Sequence, residues 1–255
     1  MLQIQWALID LCVPSAQANL KWTLAKASFD MTDQLTIRDL RRRWKPHKDR
    51  LGAQGGGHGH PTPIRFHRAC SWLAEIEKLP DGDDHDRTLI YQWIAFNALY
   101  SRWDEKRQEP EPDKTSWQDF LDQIVSMDES KYLESMLIEH KKLVEAILDD
   151  EYLSKLFWKN PNQGSARQAR RAKFASRTWY LEEKWTLILD RVMDRIYQIR
   201  CQLIHGAATY NGKLNRRSLK RCVMMLEHVM MAVLQVWIDH GADQDWGPMC
   251  YPPQS

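Results

Sequence analysis

The sequence predicts an all-α protein, most simply a helical bundle of four or five main helices. Apolar residues recur at spacings of three and four over several long segments, as they do on one face of a helix. No segment rich in Val, Ile and Thr alternates apolar and polar residues as a half-buried strand would. The 255 residues also include 12 Trp, and helices with wide apolar faces would cover so many large rings.

The chain divides into three predicted regions. Residues 1–50 are a short N-terminal extension, and Asp39 and Asp49 within its charged run favour an arm over a binding site. Residues 51–63 are rich in Gly and Pro, which cannot hold regular structure cheaply, and are predicted to be a linker. Residues 64–253 then form a single helical domain.

Four apolar stripes define the main helices of this domain. They run over residues 87–102, 133–147, 185–203 and 219–237. The last stripe is apolar around much of its circumference, which is typical of a buried helix. Asn97 lies on the first stripe, so its amide must find a hydrogen-bond partner. His140 and His228 are interpreted as core histidines.

The composition favours a soluble, cytoplasmic protein. A formal net charge of +2 does not by itself indicate a nucleic-acid partner. The five Cys are widely spaced and include no C-x-x-C pair, so neither a disulfide framework nor a zinc ribbon is expected. The first residues lack the basic stretch of a signal peptide, and no segment approaches the roughly 18 apolar residues of a membrane span. We therefore expect no membrane association.

Arg200 and His205 are the candidate catalytic pair, at the exit of the third stripe. On an ideal helix, five residues separate two side chains by roughly 140° around the axis. Gly206 is a typical helix stop, however, and would leave His205 at the helix end. The negative end of the helix dipole favours a protonated imidazole there, and Arg200 offers a planar fork of donors for phosphate.

This pair suggests ribonuclease chemistry. RNA carries its own nucleophile, the 2′-hydroxyl, and its cleavage needs proton transfer and stabilisation of the phosphorane charge. No metal or cofactor is required for such a reaction. The alternative from the spacing alone is that Arg200 pairs with an acidic neighbour and His205 only caps its helix.

The sequence resembles the HEPN superfamily of helical nucleases, in particular its Apea-like branch. The resemblance covers most of the chain, from Arg65 to about Pro252. It is carried by RFHRACSWL at 65–73, YQWIAFNALY at 91–100, YQIRCQLIHGAATYNGKLNR at 197–216 and DWGPMCYPP at 245–253. It implies a HEPN-like helical bundle acting as a metal-independent endoribonuclease of the R-x4-H type. It also implies a homodimer in which two Arg/His pairs face each other, in a toxin–antitoxin or phage-defence system.

The resemblance also assigns roles to individual residues. The expected reaction cuts single-stranded RNA to 2′,3′-cyclic phosphate and 5′-hydroxyl ends, with His205 as general base or acid and Arg200 as ligand of the phosphate and transition state. Asn97 is expected to be an orienting group. Cys201 departs from the family, which usually has a polar residue, most often asparagine, after the arginine, and cysteine is a poor donor. That departure favours the competing hypothesis of a catalytically silent module that binds nucleotide or RNA, dimerises, or acts with a partner such as a nucleotidyltransferase antitoxin.

A second candidate site is the basic segment over residues 165–179. Its basic side chains are those of Arg167, Arg170, Arg171, Lys173 and Arg177, with no acidic residue among them. Phe174 and Trp179 interleave these charges, which is typical of a track for single-stranded RNA. The alternative is a solvated helix face or a mobile loop.

No metal site is expected. His58 and His60, followed by His67 and Cys70, could supply ligands in principle, but their glycine-rich surroundings and irregular spacing suit no metal geometry. The sequence also lacks the phosphate-binding motif G-x-x-x-x-G-K-[ST] and a dense carboxylate cluster for Mg²⁺.

Overall fold

The computed structural model describes residues 35–54, 60–79, 84–213 and 215–252. This part of the chain is mostly helical, which confirms the all-α prediction. Its only strands, β1 (Trp103–Asp104) and β2 (Glu109–Pro110), form a small antiparallel hairpin within the described residues. Residues 37–255 belong to one compact unit.

Ten α-helices occur in the described part of the chain. They are α1 (Ile37–Gln54), α2 (Pro61–Ile76), α3 (His85–Tyr100), α4 (Asp113–Ser126), α5 (Tyr132–Glu139), α6 (Lys141–Leu148), α7 (Lys155–Lys159), α8 (Gln163–Leu181), α9 (Trp185–Ile204) and α10 (Arg216–His240). A short 3₁₀ helix, Glu151–Leu153, leads into α7.

Helix α10 lies at the centre of the unit and packs against α1, α3, α5, α6 and α9. Leu226, Val229 and Val233 are fully buried along it, and each such side chain stabilises the fold by about 1.5–3 kcal/mol. Near its end, Trp237 stacks on Trp246 of the C-terminal segment, with ring centroids 4.2 Å apart. A helix covered on several sides needs apolar residues around its circumference, as its sequence indicates.

The central position of α10 also corrects one expectation from the sequence. By length and composition, this helix is apolar enough to cross a membrane, whereas no segment was expected to reach that threshold. However, 67% of its apolar window is buried inside the protein. Its place in the core therefore accounts for its apolarity.

The predicted N-terminal arm is wrong for residues 37–50, which form most of α1. Leu40, Trp44 and Leu51 are buried on one side of this helix. The Trp44 ring stacks on Phe66 of α2, with centroids 4.7 Å apart. The charged run is therefore the solvent side of an amphipathic helix that belongs to the core. Residues 1–34 of the predicted extension lie outside the described residues.

The predicted linker over 51–63 is also too long. Residues 51–54 complete α1 and residues 61–63 begin α2, while 55–59 lie outside the described residues. Proline is well tolerated in the first turn of a helix because the N–H that it lacks has no partner there. The Pro-Thr-Pro sequence after His60 therefore starts a helix and does not extend the linker.

The number of main helices exceeds the predicted four or five. Seven helices of the described part contain 14 residues or more. The additional ones are α1, α2, α4 and α8, over which the sequence analysis predicted no apolar stripe. The predicted stripe over 133–147 is divided between α5 and α6, which meet at His140. The His140 ring stacks on His228 of α10 with centroids 3.7 Å apart, and both histidines are half-buried.

Arg65 of α2 binds the C-terminal segment that follows α10 to the rest of the helical bundle. Its side chain is fully buried. It donates hydrogen bonds of 2.6–3.4 Å to the carbonyl oxygens of Leu99, Ser101, Trp246, Gly247 and Pro248. Burial lowers the pKa of the guanidinium to about 10, so the group stays charged at neutral pH. Arg65 thereby joins two of the segments that carry the family resemblance, 65–73 and 245–253.

Candidate active site

Helix α9 ends at Ile204, two residues before Gly206, which confirms the predicted helix stop. His205 is the last residue before the glycine and lies at the C-cap. The N–H of Ala207 donates to the carbonyl of Gln202 at 2.8 Å, and that of Gly206 to the carbonyl of Leu203 at 3.1 Å. This pair of bonds is a Schellman motif, which needs a left-handed residue after the C-cap. Gly206 supplies it with φ +71°.

His205 therefore stands at the frayed end of α9. Its side chain is exposed and makes no hydrogen bond or ion pair with the described residues. Both ring nitrogens are open to a ligand, as an acid or base in catalysis requires. A histidine whose role was to satisfy the helix terminus would instead place a ring N–H on one of the last carbonyls.

Arg200 lies five residues earlier on α9 and points toward α3 and α4. Its guanidinium carbon lies 5.7 Å from the ring centroid of Trp93 and 5.6 Å from that of Tyr197. Its Nη2 is 3.9 Å from a carboxylate oxygen of Asp113, at the outer limit of an ion pair. The side chain is 21% exposed, and its buried Nε has no hydrogen-bond partner among the described residues. Arg200 thus keeps donor capacity that the rest of the described chain does not use.

Asp113 and Tyr100, neither of which was a predicted site residue, complete the surroundings of Arg200. The Tyr100 hydroxyl donates to the Asp113 carboxylate. Burial raises the pKa of Tyr100 well above its ordinary value, and the nearby Asp113 charge adds to the shift. Burial also raises the pKa of Tyr197 to about 12. Both tyrosines therefore stay neutral donors at physiological pH.

Signals for this environment were present in the sequence. Tyr100 lies on the same apolar stripe as Asn97, and Asp113 directly follows a proline at a helix start, where acidic residues are favoured. Their contact with each other and with Arg200 depends on how α3, α4 and α9 pack. Sequence spacing does not reveal that arrangement.

Asn97 lies one turn after Trp93 on α3 and is half-buried. It shares the face of α3 that reaches Arg200, since residues four apart are neighbours on a helix. Its amide makes no hydrogen bond within the described part of the chain. The predicted orienting contact to the catalytic pair is therefore absent from a single chain.

Arg200 and His205 are likewise not brought together within one chain. No contact between their side chains occurs among the described residues, and α9 is helical up to Ile204. The separation of roughly 140° expected for an ideal helix therefore persists. One chain presents an inward arginine and an outward histidine at the same helix end.

Two aspartates at the start of α3 form hydrogen bonds with the loop that follows His205. Buried Asp86 accepts hydrogen bonds from the Arg216 guanidinium and, at 3.0 Å, from the backbone N–H of Asn211. Asp84 accepts from the Tyr210 hydroxyl at 2.8 Å. These bonds hold the loop that follows the α9 terminus, a role of Asp84 and Asp86 that the sequence did not indicate.

Cys201 is half-buried and its thiol is free. Its side chain contributes to the raised pKa of Tyr197, one turn earlier on the same helix. The residue that departs from the family pattern thus interacts with the ring that lies beside Arg200.

The candidate metal ligands do not converge. His60 caps α2, where its Nδ1 accepts from the Thr62 N–H at 3.3 Å, while Cys70 is buried in the core. His67 is exposed on α2, and His58 lies outside the described residues. Within the described ranges, no group of three or more His, Cys, Asp or Glu side chains could hold a metal ion.

The predicted RNA-binding segment forms α8. Two of its basic side chains form ion pairs: Arg170 with Glu151 at 2.7 Å and Lys173 with Asp149 at 2.8 Å. Arg167, Arg171 and Arg177 are exposed and form no ion pair with a described carboxylate. Phe174 is also exposed, and the Arg177 guanidinium lies 5.9 Å from its ring centroid. One face of α8 therefore presents unpaired positive charge around an aromatic ring, whereas Trp179 is half-buried.

This division of α8 leads to a first prediction. Replacing Arg167, Arg171 and Arg177 by Gln should weaken RNA binding and flatten its dependence on salt. The reason is that binding with fewer phosphate contacts releases fewer counterions from the RNA. Arg170→Gln is the matched control, since this arginine is already held by Glu151, and its effect should be smaller. Binding titrations at several salt concentrations measure both. An unchanged affinity and salt slope in the triple variant would leave α8 as a solvated face.

Comparisons with known proteins add no family to this picture. No family model matches the chain, and no match was found among curated proteins or solved structures. The likeness to HEPN nucleases therefore rests on the quoted segments and on the residues that they place at the end of α9.

Proposed function

We propose that the chain is a metal-independent endoribonuclease that cuts single-stranded RNA. The observation that carries the proposal is the end of α9, where a Schellman motif leaves the His205 imidazole exposed and Arg200 lies five residues away with unused donors. A proton-transfer group and a phosphate ligand are the two elements that RNA cleavage by its own 2′-hydroxyl needs. The resemblance to R-x4-H nucleases gives the same assignment.

The reaction transfers a phosphoryl group within the RNA. One imidazole removes the proton of the 2′-hydroxyl, and the 2′-oxygen attacks the adjacent phosphorus. The bond between phosphorus and the 5′-oxygen breaks, and a protonated imidazole donates a proton to that oxygen. Arg200 stabilises the charge on the phosphorane oxygens. The products are a 2′,3′-cyclic phosphate and a 5′-hydroxyl.

A homodimer is part of the proposal. Acid and base act on opposite sides of the phosphorus, and one chain offers a single exposed imidazole at this helix end, turned away from its arginine. Two α9 ends that meet across a twofold axis would bring two arginines and two histidines together. Within this assembly, we assign Asn97 the role of orienting group. We further propose a cytoplasmic toxin or phage-defence role, with an antitoxin or nucleotidyltransferase as the partner that restrains cleavage.

The second candidate is a catalytically silent module that binds RNA or nucleotide or docks a partner. Two contacts favour it. Arg200 lies among aromatic rings beside Asp113, as a structural arginine would. Cys201 interacts with Tyr197, and its thiol is only a weak donor for a substrate. Such a module would keep the binding function of α8 and lack cleavage.

The experiment that separates the two candidates gives a second prediction. Purified protein incubated with single-stranded RNA in EDTA should cut it at the same rate as in Mg²⁺, because the proposed groups are all side chains. Gel analysis of labelled RNA follows the reaction, and an unlabelled competitor of double-stranded RNA tests strand preference. Activity that disappears in EDTA and returns with Mg²⁺ would overturn the proposed chemistry. RNA binding without cutting in either buffer would favour the silent module.

A further inference from the structure

The segment that joins α6 to α8 carries a cluster of aromatic side chains at the surface. This cluster, which we name the aromatic wedge, consists of Tyr152, Phe157 and Trp158. The ring centroid of Phe157 lies 5.3 Å from that of Tyr152 and 5.2 Å from that of Trp158. Tyr152 and Trp158 are each 44% exposed. Single exposed apolar residues are common, but adjacent large rings left partly in water are typical of interaction sites.

Hydrogen bonds to the backbone of Tyr152 hold the aromatic wedge in place. The Trp158 indole N–H donates to the Tyr152 carbonyl at 2.8 Å, and the Gln202 amide donates to the same oxygen at 3.0 Å. Asp150 accepts from the Tyr152 N–H at 3.1 Å. Because these bonds involve backbone atoms and the indole nitrogen, the faces of the rings stay available. A preorganised ring loses little conformational freedom when a ligand stacks on it.

A buried arginine fixes the position of the wedge relative to α8 and α9. Arg195 of α9 donates to the carbonyl oxygens of Asp150 at 3.0 Å and Ala169 at 2.7 Å. The first carbonyl lies directly before the wedge segment and the second lies on α8. The wedge is therefore bound to the basic helix on one side and to α9 on the other.

The wedge also lies beside the candidate catalytic histidine. Gln202, which contacts the Tyr152 backbone, precedes His205 by three residues, so the two side chains are neighbours on the surface of α9. On the other side, Arg170 of α8 pairs with Glu151, the residue before Tyr152. The exposed arginines of α8, the aromatic wedge and His205 thus occur in succession on elements that touch one another.

We infer that Tyr152 and Trp158 form a base-stacking site for single-stranded RNA beside His205. The inference rests on the proposed RNA substrate and names where its bases bind. Unpaired bases expose flat π-faces that stack on aromatic side chains without regard to sequence, while the phosphates between them need positive charge nearby. The wedge supplies the rings, and Arg167, Arg171 and Arg177 supply the charge. An apolar protein partner would match the rings and leave these arginines uncompensated.

The test combines crosslinking and binding with the full chain. Irradiation of the protein with an oligouridine that contains 5-iodouridine should crosslink RNA to the peptide holding residues 151–159, identified by mass spectrometry. Tyr152→Ala and Trp158→Ala should each weaken oligouridine binding on the order of tenfold. Trp158→Phe, which keeps a stacking face, should retain most of the affinity. Tyr251→Ala is the matched control, since this exposed tyrosine of the C-terminal segment packs on Trp103 of β1.

The outcomes separate this inference from the proposed cleavage. Wedge-dependent binding and crosslinking without RNA cutting would uphold the stacking site and refute the nuclease. Cutting with unchanged affinity in both alanine variants, and with no crosslink in 151–159, would refute the stacking site alone. Alanine variants that change the dimer dissociation constant and leave RNA affinity unchanged would show that a second copy covers the wedge. Circular dichroism and thermal unfolding verify that each variant folds.

Discussion

Replacing His205 by alanine is expected to lower the rate of RNA cleavage about 10²- to 10⁴-fold, because the reaction would lose its proton-transfer group. Arg200→Ala should have an effect of the same order, since the phosphorane charge would lose its ligand. Initial rates of cleavage of a labelled RNA measure both changes. The imidazole is exposed and unbonded, so thermal unfolding of the His205 variant should match that of the parent protein.

Two controls sharpen this prediction. His67→Ala removes another exposed histidine, on α2, and should leave cleavage unchanged. Arg200→Lys keeps the charge and loses the planar fork, so its rate should lie between those of the parent and the alanine variant. A His205→Ala protein that cuts RNA at the parental rate would remove this histidine from the mechanism.

Mixing the two inactive variants tests the dimeric arrangement. Subunit exchange between Arg200→Ala and His205→Ala chains gives heterodimers that retain one arginine and one histidine on different chains. If the working pair forms across the interface, the mixture should regain part of the activity that each variant lacks. Native mass spectrometry verifies the exchange. No recovery despite confirmed exchange would mean that all four groups are needed or that the pair acts within one chain.

Arg65→Leu is expected to destabilise the protein by about 3–5 kcal/mol, because each buried carbonyl oxygen that loses its donor costs about 1–3 kcal/mol. The substitution leaves the carbonyl oxygens of residues 99, 101 and 246–248 without their donor in the core. Urea unfolding measures the loss as a lower midpoint with an unchanged slope. Arg68→Gln is the control, because this neighbouring arginine also bonds tail carbonyls but is only half-buried. A loss under about 1 kcal/mol for Arg65→Leu would show that the tail needs no such anchor.

The fold class could be predicted from the sequence because wide apolar stripes repeat with helical spacing. That same criterion failed for α1. Its core side is narrow, with Ile37, Leu40, Trp44 and Leu51 as its buried side chains, and the charged residues between them favoured an arm. The break between α5 and α6 was also hidden, because Leu137 and Val144 continue one stripe across His140. The spacing of apolar residues shows which residues face the core, but it does not show where one helix ends and the next begins in another direction.

The helix end that carries the candidate site could be predicted in more detail than its surroundings. Gly206 is a local signal, and the Schellman motif follows from it. Asp113 lies more than 80 residues from Arg200 in the chain, and no local pattern links them. The structure also leaves Asn97 without the hydrogen bond that its place on an apolar stripe had indicated. Contacts between distant helices depend on packing, so the environment of Arg200 required the three-dimensional structure.

The most direct test of the central claim is the chemistry of the RNA ends produced in EDTA. We predict a 2′,3′-cyclic phosphate on the upstream fragment and a 5′-hydroxyl on the downstream fragment, since the 2′-oxygen is the proposed nucleophile. The downstream fragment should then accept labelled phosphate from polynucleotide kinase without prior phosphatase treatment, and mass spectrometry should find the upstream fragment lighter by one water than the linear phosphate. A 5′-phosphate with a 3′-hydroxyl would show that water is the nucleophile and would contradict the assignment of His205 and Arg200.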